Sequence, residues 1–248
     1  ESRLSPILYD YGLKSYRELY FKAKNNTDPF IRDRIIDSMT TNETLWFRDQ
    51  HPFNVLKEKA LPFFSEKIRD KKSGKIRIWS AGCSTGQEPY SIAMTIMEYI
   101  RSFPYLNPEH FSIMATDISG TALQKAVSGI YDSIAIRRGL PDDKRRKYFT
   151  ERDGKFVIND DLKRMIDFKN LNFQDSFSRL GKFDIILMRY VAIYFNDSFK
   201  KDLFSRLYSA LNRDGFFFIG ASESMSGYNS DFELNYLGRA IYYRKEAK

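Results

Sequence analysis

Cysteine and histidine are almost missing from these 248 residues. Cys83 is the only thiol, so no internal disulfide can form and no cysteine-rich metal centre can be built. His51 and His110 are the only histidines, which argues against a zinc site and leaves nothing from which to assemble a histidine-based triad. Long apolar runs are lacking too. Stretches such as Phe216–Ile219 are far too short to cross a bilayer, so no membrane insertion is expected. There is no internal repeat and no low-complexity tract. The charged first residues carry no signal-peptide pattern, and a start at Glu1 leaves an upstream segment open. A reducing cytoplasmic setting and no metal are the resulting expectations.

What is present is the composition of a folded protein. Hydrophobic residues make up 42% of the chain, and the length suits one large domain with or without a small appendage. The net charge of +8 favours an acidic partner: nucleic acid, an anionic membrane or acidic protein helices. Plain solubility explains the same charge equally well.

The most informative stretch is 76–91. A β-prone run (Ile76, Ile78, Trp79) ends in a small-residue turn holding Gly82 and Gly86, and an amphipathic helix then carries Ile92, Ile96 and Ile100 on one stripe. A strand feeding a glycine turn and a helix brings bare backbone N–H groups close to a ligand, as nucleotide-type sites require. A second β-prone stretch, Phe111–Thr116, ends in Asp117, where such folds place the acid that holds a ribose.

Residues 1–50 read as a small helical N-terminal domain. Leu13, Tyr16, Leu19 and Tyr20, then Ile31, Ile35, Ile36 and Met39, fall at helical spacing, and Thr27 or Asp28 can cap the second of these helices. Residues 51–74 read as a linker with a helix over 52–66 and a turn at 69–74. From 75 to 248 strands and helices alternate, which predicts a mainly parallel α/β sheet. Strands are expected at 76–80, 111–116, 165–169, 183–188 and 215–220, and helices at 89–101, 120–127, 140–148 and 197–211. Residues 129–162 fit that order poorly and read as a small inserted β-subdomain turning at Gly154. The last strand candidates, 215–220, 232–234 and 240–244, are joined too tightly for parallel crossovers, so a C-terminal antiparallel hairpin is expected. A parallel Rossmann-like sheet closed by such a hairpin resembles the S-adenosylmethionine-dependent methyltransferases.

Further motifs narrow the resemblance. Thr40–Arg48 reads TTNETLWFR, Ser84–Ser91 reads STGQEPYS, Ala115–Ser119 reads ATDIS, and Arg189–Phe195 reads RYVAIYF. These are similar to the TTNxTxFFR, STGEEPYS, ATDIS and RNVLIYF motifs of the chemotaxis-receptor glutamate methyltransferases, the CheR family. They occur in the same order and at compatible spacing over nearly the whole chain. The resemblance implies transfer of a methyl group from S-adenosylmethionine to receptor glutamate carboxylates, with S-adenosylhomocysteine as product and acidic cytoplasmic helices of chemoreceptors as partners.

The resemblance also implies roles for residues. Glu88 and Asp117 become cofactor ligands, Asp117 for the ribose hydroxyls and Glu88 for the ammonium group. Asn172 would meet the adenine edge. Asn42, Thr44, Gly82, Phe173, Arg189 and Tyr190 complete the cofactor contacts. Arg48 is shared with the acceptor, whose carboxylate its guanidinium fork suits, and Tyr194, at the end of the fourth strand, would lie near the reacting methyl. As structural readings, Asp117 serves equally as a strand-end turn residue, Glu88 as a helix N-terminal acid, and Arg48 as a surface arginine packed on Trp46 or Phe47.

Tyr190 departs from the family's asparagine and Ala192 from a larger aliphatic residue, which leaves room for an alternative: an inactive cofactor-binding module that docks on receptors or signalling partners. The short Thr150–Ile158 segment, with Gly154 alone, predicts no binding of a receptor-tail pentapeptide. Nucleic acid is not expected as substrate: Met188–Val191 is not an Asn/Asp-Pro-Pro-aromatic loop, and Cys83 does not follow proline.

Overall fold

The computed structural model describes residues 3–25, 28–71, 74–228 and 231–245. Seven strands form the central sheet: β1 (Ile76–Ala81), β2 (Phe111–Asp117), β6 (Ile166–Asn170), β7 (Phe183–Leu187), β8 (Leu211–Phe218), β9 (Glu233–Leu237) and β10 (Ala240–Arg244). Their order is β6-β2-β1-β7-β8-β10-β9. The pairs β2/β6, β1/β2, β1/β7 and β7/β8 are parallel, whereas β10 runs antiparallel to both β8 and β9. The hairpin predicted from tight connections is therefore present. Its first strand starts at Glu233 and not at 232, because Phe232 turns into the core against Phe217. β8 starts at Leu211, four residues earlier than its apolar run suggested, and polar Asn212–Asp214 lead into Phe216–Phe218.

Side-chain alternation assigns the two sheet faces. Ile76, Ile78, Ile185, Leu187, Phe216 and Phe218 point into one apolar cluster, and Trp79, Ala81, Ile186, Met188, Phe217 and Ile219 into the other. Phe183 breaks the alternation because the β7/β8 register shifts between Phe183 and Ile185. Helices α1 (Ser5–Asp10), α2 (Tyr16–Lys24) and α3 (Pro29–Met39) form a cluster of their own around Ile7, Leu19 and Ile31. Tyr20 and Met39, expected on the buried stripe, are exposed, since each short helix has only one narrow side against its neighbours. Asp28 caps α3 by accepting from the Phe30 amide at 2.9 Å; Thr27, Lys72 and Ser73 lie outside the described residues.

Helix 51–69 is continuous but changes winding: α4 (His51–Val55), a π-turn over Leu56–Ala60, then α5 (Leu61–Arg69). The helices α6 (Gln87–Tyr99), α7 (Gly120–Ser128), α8 (Ser133–Arg137), α9 (Asp142–Tyr148), α10 (Asp160–Lys163) and α11 (Asp197–Ala210) complete the fold. α8, unpredicted, lies early in the inserted segment, capped by Asp132 through the Ala135 amide at 2.7 Å. That segment holds a three-stranded sheet in the order β3 (Ile130–Tyr131), β5 (Lys155–Ile158), β4 (Phe149–Arg152), with Asp153 and Gly154 both at positive φ in its two-residue turn.

Two contacts fix the N-terminal segment over the sheet. The Asp37 carboxylate accepts from the Ser119 and Thr121 hydroxyls, each at 2.6 Å, at the start of α7. Trp46 is fully buried; its amide donates to Arg138 O and its indole to Ala135 O, and its ring packs edge-on to Tyr131 and Phe149. Residues 40–50 are thus stretched between the helical segment, the β-subdomain and the ends of β1 and β7.

Candidate active site

That arrangement encloses a cavity of ≈ 320 Å³ at the C-terminal ends of β1, β2 and β7. Its wall includes every site residue picked out from the sequence: Asn42, Thr44, Arg48, Gly82, Glu88, Asp117, Asn172, Phe173, Arg189, Tyr190 and Tyr194. Open parallel sheets place ligands at this end, beside the strand where the order reverses.

The amides of the β1 turn, expected bare, are taken up inside the protein: Gly82 and Cys83 both donate to Thr116 O, at 2.8 and 2.9 Å. Gly82 has φ +84°, and a Cβ there would lie 2.4 Å from Val191 Cγ2, so only glycine fits. The Ser84 amide donates to Asp117 Oδ2 at 2.8 Å, and the Ser119 amide to Asp117 Oδ1 at 2.9 Å. Burial pushes the Asp117 pKa up, partly offset by those amides. The Ser84 hydroxyl is buried on the cavity wall with no hydrogen-bond partner among the described residues. An orphaned hydroxyl beside an acid is a site for a polar ligand.

Glu88, in the first turn of α6, accepts from Ser80 Oγ at 2.7 Å and from Arg189 Nη1 at 3.0 Å. Burial raises its pKa, opposed chiefly by the Arg189 charge. The Arg189 side chain is 1% exposed and also donates through Nη2 to Arg48 O (2.6 Å) and Asp49 Oδ2 (2.7 Å). Its terminal nitrogens are thus spent on protein groups, and it acts on the cavity by fixing Glu88 and Asp49. Asp49 also accepts from the Tyr190 hydroxyl at 2.6 Å. Burial would raise its pKa, but the Tyr190 and Arg189 hydrogen bonds outweigh that and hold it below the ordinary carboxylate value.

Phe47, Asp49 and Gln50 all adopt positive φ, as does Tyr190. Each such residue costs about 1–3 kcal/mol, a strain that persists only where surrounding contacts impose it. Arg48, between them, lays its guanidinium on the Tyr190 ring, 3.6 Å from the centroid, and donates to Glu43 O at 3.1 Å. Among the described residues the ring it lies over is that of Tyr190, not Trp46 or Phe47. Among the described residues its guanidinium meets no carboxylate at ion-pair distance.

Tyr194 departs from expectation: β7 ends at Leu187, and Tyr194 closes a 3-10 turn (Ala192–Tyr194), 60% exposed at the cavity rim. The positive φ at Tyr190 ends the strand early. Asn172 Oδ1 is used locally, accepting from the Gln174 amide at 2.9 Å. Asn42 reaches Ser119 Oγ only at 3.4 Å.

The family model "CheR methyltransferase, SAM binding domain" matches residues 42–240. The chain belongs to the CheR methyltransferase family. It is 41% identical over 244 residues to the chemotaxis protein methyltransferase Cher2 of Pseudomonas putida, covering 98% of this chain and 88% of that one. Chemotaxis protein methyltransferase 1 of Vibrio cholerae is 43% identical with coverages of 98% and 86%, and the Borreliella burgdorferi chemotaxis protein methyltransferase is 39% identical with 98% and 84%. Among solved structures, the TehB-like SAM-dependent methyltransferase of Corynebacterium glutamicum is 13% identical with a TM-score of 0.40, covering 72% of this chain and 83% of that one. That distant likeness adds nothing to the assignment.

This CheR-family chain is therefore an S-adenosylmethionine-dependent methyltransferase, and its cavity fits that cofactor. Asp117 has oxygen lone pairs beyond those used by its two amides, the Ser84 hydroxyl is unspent, and Gly82 adds no side chain to the cavity wall. The motifs did not single out Asp49, which immediately follows Arg48, or Ser84; adjacency was the only signal for the first, and nothing marked the orphaned hydroxyl of the second.

Cofactor affinity should depend on pH through Glu88 and Asp117. Both carboxyls are raised above their ordinary values of 4.5 and 3.8, so they take up protons in the fold before unfolded-chain acids would. Their burial therefore costs stability that is recovered as pH falls, while ligand binding to the ionised forms is lost over the same window, beginning above 4.5. Calorimetric titration of S-adenosylhomocysteine from neutral pH downward is expected to show affinity falling before the fold melts. Affinity that stays flat until unfolding would contradict this.

Proposed function

We propose that this methyltransferase esterifies side-chain glutamates on the cytoplasmic helices of chemoreceptors. The carrying observation is Arg48: a cation on the wall of the cofactor cavity, held by a ring and a carbonyl, with no carboxylate at ion-pair distance among the described residues, Glu88 sensing its charge only from farther off. An acceptor carboxylate is the group it suits. The relatives named as chemotaxis protein methyltransferases support the same reading.

The chemistry asks little of the protein in proton transfer. A glutamate side chain is already ionised at neutral pH, so no general base is needed, and no histidine lines the cavity. S-adenosylmethionine, when bound, supplies an electrophilic methyl on a sulfonium and leaves as the neutral thioether S-adenosylhomocysteine. Arg48 holds one acceptor oxygen so that the other points at the methyl, while Tyr194 and Phe195 close the rim against water.

Exposed Lys14, Arg17, Lys22 and Lys24, on or beside α2, would steer an acidic helix toward the rim. Cations of the inserted segment are largely engaged, Lys144 and Lys147 with Glu98 and Arg138 with Glu43. The tight Asp153–Gly154 turn supports a β-subdomain that does not grip a receptor tail.

The test uses methyl-labelled S-adenosylmethionine and a receptor cytoplasmic fragment. Label on the fragment is expected to be released by mild alkali as methanol, as a carboxyl ester requires. Label stable to alkali would overturn the glutamate assignment, and cofactor binding without any label transfer would favour an inactive docking module.

A further inference from the structure

Tyr190 stands where the family motif has asparagine, and its surroundings are built for a ring. Its amide donates to Glu223 Oε2 at 2.6 Å, with φ at +60°. Its hydroxyl donates to Asp49 and accepts from the Ala221 amide at 3.2 Å. The room for the ring is made at Gly220, where a Cβ would lie 2.8 Å from Cε1 and 2.9 Å from Cδ1. Backbone, hydroxyl and ring plane are each fixed by a different neighbour, and the ring's open face carries the Arg48 guanidinium.

We infer that Tyr190 is a positioning residue for the acceptor: it is the plate on which Arg48 lies flat, so that the guanidinium meets an incoming carboxylate edge-on. The inference rests on the reading that Arg48 holds the acceptor glutamate. Arginine lying on an aromatic face keeps its in-plane N–H groups available to grip one acceptor oxygen and leave the other free. A ring in this place also limits side-to-side motion of the guanidinium, and misplacement by about 1 Å costs on the order of 100-fold in rate. The hydroxyl has a separate task, tying the plate to Asp49 and through it to Arg189.

The test compares Tyr190→Leu, Tyr190→Phe and Arg48→Ala in the intact chain, with a receptor cytoplasmic fragment as acceptor. Tyr190→Leu is expected to lower kcat/KM for the acceptor by about tenfold or more, well beyond its effect on S-adenosylhomocysteine affinity. Tyr190→Phe keeps the plate and should recover most of that loss. Independently of activity, the Arg48 side-chain N–H resonance should carry an aromatic ring-current shift that survives Tyr190→Phe and vanishes in Tyr190→Leu.

If Tyr190→Phe is as poor as Tyr190→Leu, or the ring-current shift is missing, the plate is refuted. An unaltered acceptor kcat/KM in Tyr190→Leu, with Arg48→Ala defective, refutes it as well and leaves the Arg48 role standing. Normal turnover by Arg48→Ala would instead remove the glutamate-holding reading itself.

Discussion

Arg48→Ala should lose methyl transfer by about 100- to 1,000-fold while S-adenosylhomocysteine binds almost as before. The expectation follows from where its contacts lie. The guanidinium touches Tyr190 and Glu43 O, and among the described residues no carboxylate pairs with it directly; Glu88, which its charge helps to keep ionised, retains Arg189 and Ser80, so the fold should hold. What disappears is the cation that orients the acceptor. Arg48→Lys should restore little, because an ammonium cannot lie flat on a ring with its donors fixed in the ring-parallel plane. Transfer rates on a receptor fragment, measured beside calorimetric affinity, decide the matter. Equal loss of both would mean that Arg48 serves the cofactor alone.

Arg189→Met should have the largest effect on stability. Arg189 is buried, and removing its charge leaves Glu88 and Asp49 without their shared cation. Breaking a buried pair in this way costs about 3–5 kcal/mol, which for a chain of this size corresponds to a fall in Tm of about 10 °C. Adding Glu88→Gln should return part of that loss, because a neutral amide needs no counter-charge. The same double variant should not regain cofactor affinity. Thermal unfolding of the single and double variants checks both statements; a single variant as stable as the parent would show that the cluster is better solvated than its burial indicates.

Local signals in the sequence carried a long way here. Strand–helix alternation and the crowding of 215–220, 232–234 and 240–244 were enough for a parallel sheet with an antiparallel end, and β1, β2, β7 and α7 lie within a residue or so of their expected bounds. Turn chemistry at Gly82 and the acid at Asp117 led to the cavity. Tyr194 and the start of β8 were misplaced for a shared reason: apolar character does not reveal where a backbone turns, and the positive φ at Tyr190 ends β7 before its apolar run does. Asp49 was passed over because a lone acid after an arginine looks like any surface pair until Arg189 and Tyr190 are seen converging on it from far along the chain.

The sequence by itself determined the family, the sheet order's parallel-to-antiparallel change and the identity of the residues around the cleft, since these depend on periodicity, turn residues and motifs short enough to read in place. Only the tertiary structure decided what those residues face. Arg189 turns inward to pin two acids, Arg48 is left with a ring and an open edge, and the unusual Tyr190 is aimed at both. These partners lie on segments more than a hundred residues apart, and which of them meet depends on packing and backbone torsion that no local pattern encodes.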